Sequence, residues 1–456
     1  MADVGVIGAG IAGLTAAYQL QHAGVDVEVL EASGRVGGMI GTERTNGYLV
    51  EMGPNSLRGS NEAQESVIAS LGLESEVVEA NDAASTRYVV REGRPQPLPM
   101  SPWTFLTTDL LSASAKLRLL GEPFVSSAPG GEDESVASFV RRRLGPEVLD
   151  YMVDPFVGGI FAGDPDRLSL RNAFQRLHDM ESEHGSLFRG LVHAARNRST
   201  DDGPSRGLFS FRKGLQTLPD ALATALNGRI RRNTSVQALR PGGSVQVEND
   251  GAQRQHAYDA VISTLPLHAL TDIDFPTEVD LDPLAEVPYP PVSVLALGFR
   301  EDDVQHPLDG FGMLVPSVEN EFRILGTIFS STLFPQRAPD GHVLLTTFVG
   351  GMRHPDLGRA DTQMLSARVQ DDLDALLGLQ GAPTFVRHVP WNRAIPQYMQ
   401  GYDHVTETIE TLESAHPWLT LAGNYRQGIS VGDALESGAD AADRVLDRLA
   451  QPVPSR

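Results

Sequence analysis

The sequence predicts a mixed α/β fold in which three regions are interleaved along the chain. It opens with a strand, a glycine-rich turn, a helix and a second strand, and short apolar strands return after residue 207. Between residues 99 and 198 the apolar spacing is helical instead. With 456 residues, of which 41% are hydrophobic, the chain can bury the cores of two or three domains.

The amino-terminal unit has the order of a dinucleotide-binding βαβ motif. Residues 4–7 and 25–30 are apolar strands, and Glu31 follows the second strand. The turn between them allows close approach of backbone to a pyrophosphate and close packing of helix on strand. The free amides of the helix suit phosphate oxygens, and Glu31 suits ribose hydroxyls. We therefore predict a Rossmann-like nucleotide-binding domain whose turn is Gly8, Ala9, Gly10, Ile11, Ala12 and Gly13.

The residues after Glu31 favour FAD over NAD. An arginine and a glycine pair follow it, and a nicotinamide site requires neither. Paired glycines let the backbone pass close to a bulky ligand, and a guanidinium offers a planar fork to phosphate or ribityl oxygens. The alternative is a surface arginine beside an ordinary turn. The candidate FAD contacts in this part of the chain are Ala32, Arg35, Gly38, Met39, Gly53, Pro54, Asn55 and Ser56.

Five blocks extend this pattern over nearly the whole chain, at residues 31–38, 154–164, 309–316, 395–398 and 421–433. The first block resembles the signature of the amine oxidase and phytoene desaturase superfamily of FAD enzymes, which has a glutathione-reductase-like fold. The other four blocks, in this order, resemble the oxygen-dependent protoporphyrinogen and coproporphyrinogen oxidase family of haem biosynthesis.

The resemblance implies one noncovalently bound FAD and assigns it further contacts. Val236 matches the family's backbone clamp on adenine. From the residues alone, the helix that follows the glycine-rich loop near residue 428 is either an anion site with free backbone donors or a cap helix packed on the sheet. The positions that match the family's flavin contacts are Gly423, Ile429, Ser430, Val431 and Trp391.

The same resemblance implies a site for a porphyrinogen, an apolar macrocycle that carries propionates. Arg87 matches an arginine that binds a propionate, and a guanidinium suits a carboxylate better than an ammonium does. Phe311 and Leu314 match the pair that sandwiches the ring, and Phe348 is on a facing strand. Gly159 lets the helical region approach the substrate. The alternatives are a solvated arginine, ordinary core side chains and a turn glycine.

The implied reaction removes six electrons from protoporphyrinogen IX, and O2 is reduced to H2O2. Flavin N5 takes the hydride, and no protein residue is assigned as catalytic. Oxidation of coproporphyrinogen III is the alternative. Its four propionates favour additional cations, for which Arg323 and Arg353 are candidates. More distant alternatives are an amine oxidase, a carotenoid desaturase and a non-catalytic FAD-binding scaffold.

Composition excludes other chemistry and other partners. The chain has no cysteine, which excludes disulfides and thiolate metal sites, and we expect no metal. The formal charge of −22 argues against nucleic acid as a partner, because an acidic surface repels phosphates. The acid excess fits either a salt-adapted organism or a codon usage that favours arginine. We expect a monomer or homodimer whose partners are the porphyrinogen, O2 and, transiently, the next enzyme of the haem pathway.

The expected location is cytoplasmic, because the chain has no run of eighteen apolar residues and begins with a core strand rather than a signal peptide. An apolar stretch at residues 103–120 fits two structures equally well. One is a buried pair of helices, and the other is a face that dips into the inner surface of the cell membrane.

The predicted domains follow these patterns. The FAD-binding domain comprises residues 1–85, 207–275 and 416–456. The substrate-binding domain comprises residues 86–98 and 276–415, and the helical domain comprises residues 99–206. The longer helices are expected at residues 61–71, 214–226, 362–377 and 433–449.

Overall fold

A computed structural model describes residues 4–59, 62–127, 133–196 and 207–450. Its strands are β1 Val4–Ile7, β2 Val27–Leu30, β3 Thr42–Thr45, β4 Tyr48–Glu51, β5 Leu57–Arg58, β6 Val77–Glu79, β7 Thr86–Arg91, β8 Arg94–Pro97, β9 Leu208–Phe211, β10 Ile230–Arg231, β11 Thr234–Arg240, β12 Ser244–Asn249, β13 Ala252–Ala257, β14 Ala260–Ser263, β15 Val292–Arg300, β16 Gly310–Leu314, β17 Ile324–Phe329, β18 His342–Gly350, β19 Phe385–Trp391 and β20 Leu419–Leu421. Its α-helices are α1 Ile11–His22, α2 Glu62–Ser70, α3 Pro102–Thr107, α4 Ala113–Leu120, α5 Val136–Arg143, α6 Pro146–Val148, α7 Asp154–Phe161, α8 Leu170–Ala173, α9 Gln175–His184, α10 Leu187–Arg196, α11 Thr217–Ala225, α12 Leu267–Thr271, α13 Asp282–Ala285, α14 Ser330–Leu333, α15 Thr362–Leu377, α16 Asp403–Ala415 and α17 Val431–Ala450.

Five short strands form a parallel sheet in the order β10-β2-β1-β14-β20. One face of the sheet packs against α1, α11 and α17. The other face packs against α12, α16 and the antiparallel sheet β11-β12-β13. Because both faces are covered, β1 is buried along its whole length, as parallel strands usually are. The predicted mixed α/β fold with a Rossmann-like sheet is confirmed.

A second sheet has seven strands in the order β19-β15-β18-β17-β16-β7-β8. Its pairs are antiparallel except for β7 with β16, which run parallel. Helix α15 covers one face, where Leu365 and Leu373 pack with Leu295 and Leu345. We call this the back face. The opposite face, the front face, carries the candidate substrate residues described below.

The region between β8 and β9 is helical, as predicted, and contains α3 to α10. Its core holds a fully buried arginine, Arg143, that forms ion pairs with Glu122 and Glu181. Glu122 also accepts hydrogen bonds from the Ser186 hydroxyl and the Leu187 amide. A buried charge needs such partners, and in this network the buried guanidinium and the carboxylates around it all have them.

The apolar stretch at residues 103–120 does not form a buried pair of helices, so that interpretation is wrong. Trp103 is 74% exposed and Leu117 is 69% exposed, while Leu110, Leu111 and Leu119 point into the protein. No helix in the described part of the chain is long and apolar enough to cross a bilayer.

The other helix predictions are close to the structure. The helix expected at residues 362–377 has those ends. The carboxy-terminal helix begins two residues earlier than expected, at Val431, and α11 begins three residues later, at Thr217. The first residue of the helix expected at 61–71 lies outside the described residues, and α2 ends at Ser70, one residue earlier than expected.

Candidate functional site

The predicted glycine turn is tight because its glycines leave no room for side chains. Gly8 has a φ of +98°, which favours glycine. A Cβ on Gly13 would lie 2.0 Å from the carbonyl oxygen of Gly8, so α1 packs directly on the turn. Gly10 precedes α1 and offers no side-chain cap to the amides of the first helical turn. Those amides form a site suited to phosphate oxygens.

Glu31 lies at the end of β2, beside this turn. One carboxylate oxygen accepts a hydrogen bond from the Ala9 amide and the other from the Ser33 amide, both at 2.8 Å. Each oxygen has a second lone pair, so the carboxylate is held in place and can still accept ribose hydroxyls. Val236 lies close by, because the amide of Thr234 donates to the Glu31 carbonyl at 2.8 Å.

Arg35 holds the loop that follows Glu31. Its guanidinium donates to the carbonyl oxygen of Ile40 at 2.8 Å and also to that of Gly38. The loop is thereby held against the first turn, since a Cβ on Gly38 would lie 3.1 Å from the Cα of Gly10. The structure gives Arg35 this local role, and its contact with FAD stays a prediction.

The second predicted turn packs on that loop. A Cβ on Gly53 would lie 2.4 Å from the Met39 carbonyl oxygen, which again requires glycine. The Asn55 amide group donates to the Gly53 carbonyl at 3.0 Å. Trp391, from the far edge of the seven-stranded sheet, donates its indole N–H to the Met52 carbonyl at 2.7 Å. These contacts join the cofactor turns to the second sheet.

The carboxy-terminal helix begins next to the first turn. A Cβ on Gly438 would lie 2.1 Å from the Ala12 carbonyl oxygen, so α17 and α1 are in backbone contact. Asp433 accepts from the Ser430 amide, and the Ser430 hydroxyl accepts from the Asp433 amide, which forms a capping box. Gly423 donates its amide to Ser437 at 3.0 Å. Ile429 contacts the cores of both the nucleotide region and the helical region.

The front face of the seven-stranded sheet brings the candidate substrate residues together. Leu314 on β16 is in register with Gly326 on β17, which is in register with Phe348 on β18. Residues paired in register share a face, so Leu314 and Phe348 point the same way. Both are half-buried. Phe348 packs in one cluster with Met39 and Trp391, which links this face to the predicted flavin contacts.

Arg87 and Phe311 lie at one end of this face. Arg87 is paired with Gly312 across the parallel β7–β16 ladder. Its guanidinium carbon lies 5.7 Å from the centre of the Phe311 ring, within cation–π range, and the side chain is exposed. A guanidinium beside an apolar wall is suited to bind the carboxylate of an otherwise apolar ligand.

Gly159 lies on α7, which crosses the front face. A Cβ there would lie 2.3 Å from Cδ2 of Leu314, so no side chain at this position fits between the helix and Leu314 as they stand. Gly159 was predicted to let the helical region approach the substrate. The structure shows a contact with Leu314 instead, and contact with substrate stays a prediction.

Arg353 is not a free cation, contrary to its candidacy as a propionate ligand. Its guanidinium lies 3.1 Å from the Asp154 carboxylate and donates to the Val315 carbonyl at 2.7 Å. Burial lowers the pKa of Arg353, and Asp154 opposes that change. The pair therefore fastens α7 to the end of β16. Arg323 donates to the Asn320 carbonyl at 2.6 Å.

A buried ion pair that was not predicted from the sequence lies beside the predicted flavin turn. Glu51 ends β4, immediately before Met52, and is 3% exposed. Arg337 is 2% exposed and lies 3.7 Å from it. Burial raises the pKa of Glu51 to about 7, although hydrogen bonding from Thr42 and the charge of Arg337 oppose this. The available signal was one acidic residue at the end of an otherwise apolar strand.

Comparison with known proteins agrees with this geometry. The flavin-containing amine oxidoreductase family model matches residues 11–446. The chain is 38% identical to a protoporphyrinogen oxidase 2 of Arabidopsis thaliana, over 98% of this chain and 94% of that protein. It is 30% identical to a coproporphyrinogen III oxidase of Bacillus subtilis, over 97% of this chain and 98% of that protein.

A solved structure from Exiguobacterium sp., named as a candidate protoporphyrinogen oxidase, superposes with a TM-score of 0.82 at 25% identity. The match covers 98% of this chain and 99% of that one. The chain therefore belongs to the flavin-containing amine oxidoreductase family and, within it, to the protoporphyrinogen and coproporphyrinogen III oxidases.

Proposed function

We propose that this chain is an FAD-dependent oxidase of haem biosynthesis that converts protoporphyrinogen IX to protoporphyrin IX. O2 is the electron acceptor and H2O2 the by-product. Near-full-length similarity to a protein named protoporphyrinogen oxidase supports this activity. Coproporphyrinogen III is the alternative substrate, because the Bacillus subtilis relative carries that name.

The nucleotide turn fits a dinucleotide well. Amides at the start of α1 have no side-chain cap, which suits them to the pyrophosphate, and Glu31 is held in reach of a ribose. The chain has no cysteine, so a thioether link to the flavin is excluded, and we propose a single noncovalent FAD. When bound, the flavin supplies the capacity to accept a hydride.

The observation that carries the proposal is the half-buried apolar wall of Leu314 and Phe348 beside Met39 and Trp391. A macrocycle needs such a wall to stack against, and here the wall adjoins the predicted flavin turn. In this proposal the chain holds one methylene bridge of the substrate against the flavin, and Arg87 holds a propionate.

The arginines near this wall favour protoporphyrinogen, which has two propionates, over coproporphyrinogen, which has four. Arg353 is bound to Asp154, and Arg323 donates to a carbonyl of its own turn. Of the three arginines considered, Arg87 alone stands exposed beside the wall. A site with few cations is suited to a substrate with few carboxylates.

Reconstitution tests the proposal. Purified protein is loaded with FAD and given each porphyrinogen, and O2 consumption and porphyrin fluorescence are followed together. We expect both signals with protoporphyrinogen and weaker signals with coproporphyrinogen. Activity only with a primary amine or a carotenoid precursor would support the amine oxidase or desaturase alternative. A protein that binds FAD but oxidises none of these would be a scaffold.

We also propose a cytoplasmic protein that touches the inner face of the cell membrane through α3 and α4. Their exposed apolar residues, led by Trp103 and Leu117, support this contact. Flotation with neutral liposomes tests it, and Trp103→Ser with Leu117→Ser should reduce the floated fraction. Equal flotation of both proteins would contradict it. We further propose that the protein is a monomer or homodimer and that it forms a transient complex with the next enzyme of the pathway.

A further inference from the structure

Glu51 lies beside the predicted cofactor turn and next to a pair of cavities, the outer of which is lined by exposed residues such as Arg212 and Gln336. It lines a small cavity of about 10 Å³, together with Asn55, Ser330 and Thr346, which is room for about one water molecule. A larger cavity of about 130 Å³ lies beyond it, lined by Val77 and Arg212 among others. Phe334 and Arg337 line both cavities and separate them.

Hydroxyl groups continue this connection to the front face of the sheet. The side-chain oxygens of Ser330 and Thr346 are 2.8 Å apart and both residues are buried. Thr346 lies two residues before Phe348 on β18, so it points to the same face as the substrate wall. A path of polar groups therefore runs from this face past Glu51 to the outer cavity.

The proposed reaction needs a place to keep a proton. Each two-electron oxidation of a porphyrinogen gives up one hydride and one proton. Formation of H2O2 from O2 takes two electrons and two protons. The hydride carries one of these protons, so the other must be held or exchanged with solvent between the two half-reactions.

We propose that Glu51 holds this second proton and exchanges it with solvent through the two cavities on either side of Arg337. The carboxylate takes up the proton when the substrate is oxidised and releases it when peroxide forms. The inference rests on the proposed function. In this inference Glu51 is a positioning residue: it stores a proton and contacts neither the substrate nor the flavin.

The surroundings of Glu51 suit a group that changes charge. Its oxygens accept from the Thr42 hydroxyl at 2.6 Å and the Leu215 amide at 3.0 Å. Among the described residues, Arg337 is the charged group that faces it. Burial lowers the pKa of Arg337, the charge of Glu51 opposes this change, and Arg44 adds to it. Arg337 is held by Ser210 at 2.8 Å and lies 3.7 Å from Glu51. That distance is too long for a hydrogen bond, so its attraction for the carboxylate is moderate.

The test measures protons taken up with electrons, without porphyrinogen. The midpoint potential of the bound flavin is recorded against pH for the FAD-loaded wild type, Glu51→Gln and Asp372→Asn. Asp372 is the matched control, since it is equally buried and lies on α15, which covers the back face. Around pH 7 we expect Glu51→Gln to take up fewer protons per two electrons, by up to about one. Asp372→Asn should equal the wild type.

A second pair of variants keeps the test decisive if Glu51→Gln does not fold. Arg337→Gln removes the charge that favours the carboxylate, so the pH range of the additional proton uptake should move upward. Arg337→Lys should leave that range in place. Identical proton uptake in wild type and Glu51→Gln at every pH would overturn the proposal, as would an unmoved range in Arg337→Gln. Failure to oxidise porphyrinogen would count against the proposed function alone.

Discussion

The predicted nucleotide turn around Gly8 and the proposed substrate face, which is the part of the front face around Leu314, are positioned in different ways. In the turn, backbone meets backbone: a Cβ on Gly13 would lie 2.0 Å from a carbonyl oxygen. On the substrate face, side chains meet side chains, and Gly159 is packed against the movable end of Leu314. Rigid backbone contacts tolerate no added atom, whereas a side-chain contact can rearrange at moderate cost. Substitutions should therefore separate the two regions by the size of their effects.

The largest effect is expected at the nucleotide turn. Gly13→Ala places a methyl group inside the contact distance of the Gly8 carbonyl, so α1 must move away from the turn. We expect a loss of about 4 kcal/mol of FAD binding free energy, or roughly a thousandfold in affinity. Fluorescence titration of the apoprotein with FAD measures it. Gly207→Ala, where a Cβ meets no atom of the described residues within 4 Å, is the control and should bind normally.

The two regions meet at Glu51, which ends a strand on the cofactor side and faces Arg337 on the other side. Burial raises the pKa of Glu51 to about 7 from 4.5, so the folded protein binds this proton more tightly than the unfolded chain does. The contribution of Glu51 to the unfolding free energy therefore falls as pH rises from about 4.5 to about 7. At about 1.4 kcal/mol per pH unit, the full change is about 3 kcal/mol.

Chemical denaturation of the apoprotein between pH 5 and pH 8 measures that contribution. Glu51→Gln cannot ionise, so its unfolding free energy should fall less than the wild-type value over this range. Parallel curves for the two proteins would show that Glu51 does not titrate there. Such a result would mean that titration of Glu51 does not couple the two regions.

A moderate effect is expected on the substrate face. Gly159→Ala pushes Leu314 out of its position. We expect kcat/KM for porphyrinogen to fall roughly thirtyfold, which corresponds to about 2 kcal/mol of transition-state stabilisation. Adding Leu314→Ala makes room for the new methyl group and should restore part of the loss. Steady-state kinetics of both single variants and the double variant give the coupling. If the loss in the double variant equals the sum of the losses in the two single variants, the effect of Gly159→Ala does not act through its contact with Leu314.

The smallest effect is expected at Arg87, because its side chain is exposed and its ring contact in the described part of the chain is with Phe311. Arg87→Met should raise KM for protoporphyrinogen about fivefold, near 1 kcal/mol, with little change in kcat. High salt should reduce the difference from wild type. A KM that does not change with Arg87→Met would remove this residue from the substrate site.

The parts of this fold that were predictable from sequence are those with local causes. Gly8, Gly10, Gly13 and Glu31 lie within one βαβ unit, where spacing alone dictates their geometry. The apolar pattern of residues 362–377 gave the whole of α15, because an N-cap at Asp361 and a glycine at 378 define its ends.

The remainder depends on strand register and on long-range pairing. Leu314 and Phe348 adjoin only because Gly326 on a third strand is in register with both. The pairing of Arg353 with Asp154 likewise joins two blocks that are distant in the chain. A sequence pattern identifies a residue type but not its partner, so the sequence could not show that the candidate cation Arg353 is paired with Asp154.

The parallel sheet has a consequence for how the protein is made. Its strand β1 pairs with β14, which pairs with β20 near the end of the chain, and Gly438 on α17 touches Ala12. During synthesis the first turn must therefore wait for almost the entire nascent chain to leave the ribosome before it is completed. Binding of the coenzyme is then one of the last steps of maturation. A protein truncated before α17 should be colourless and sensitive to protease.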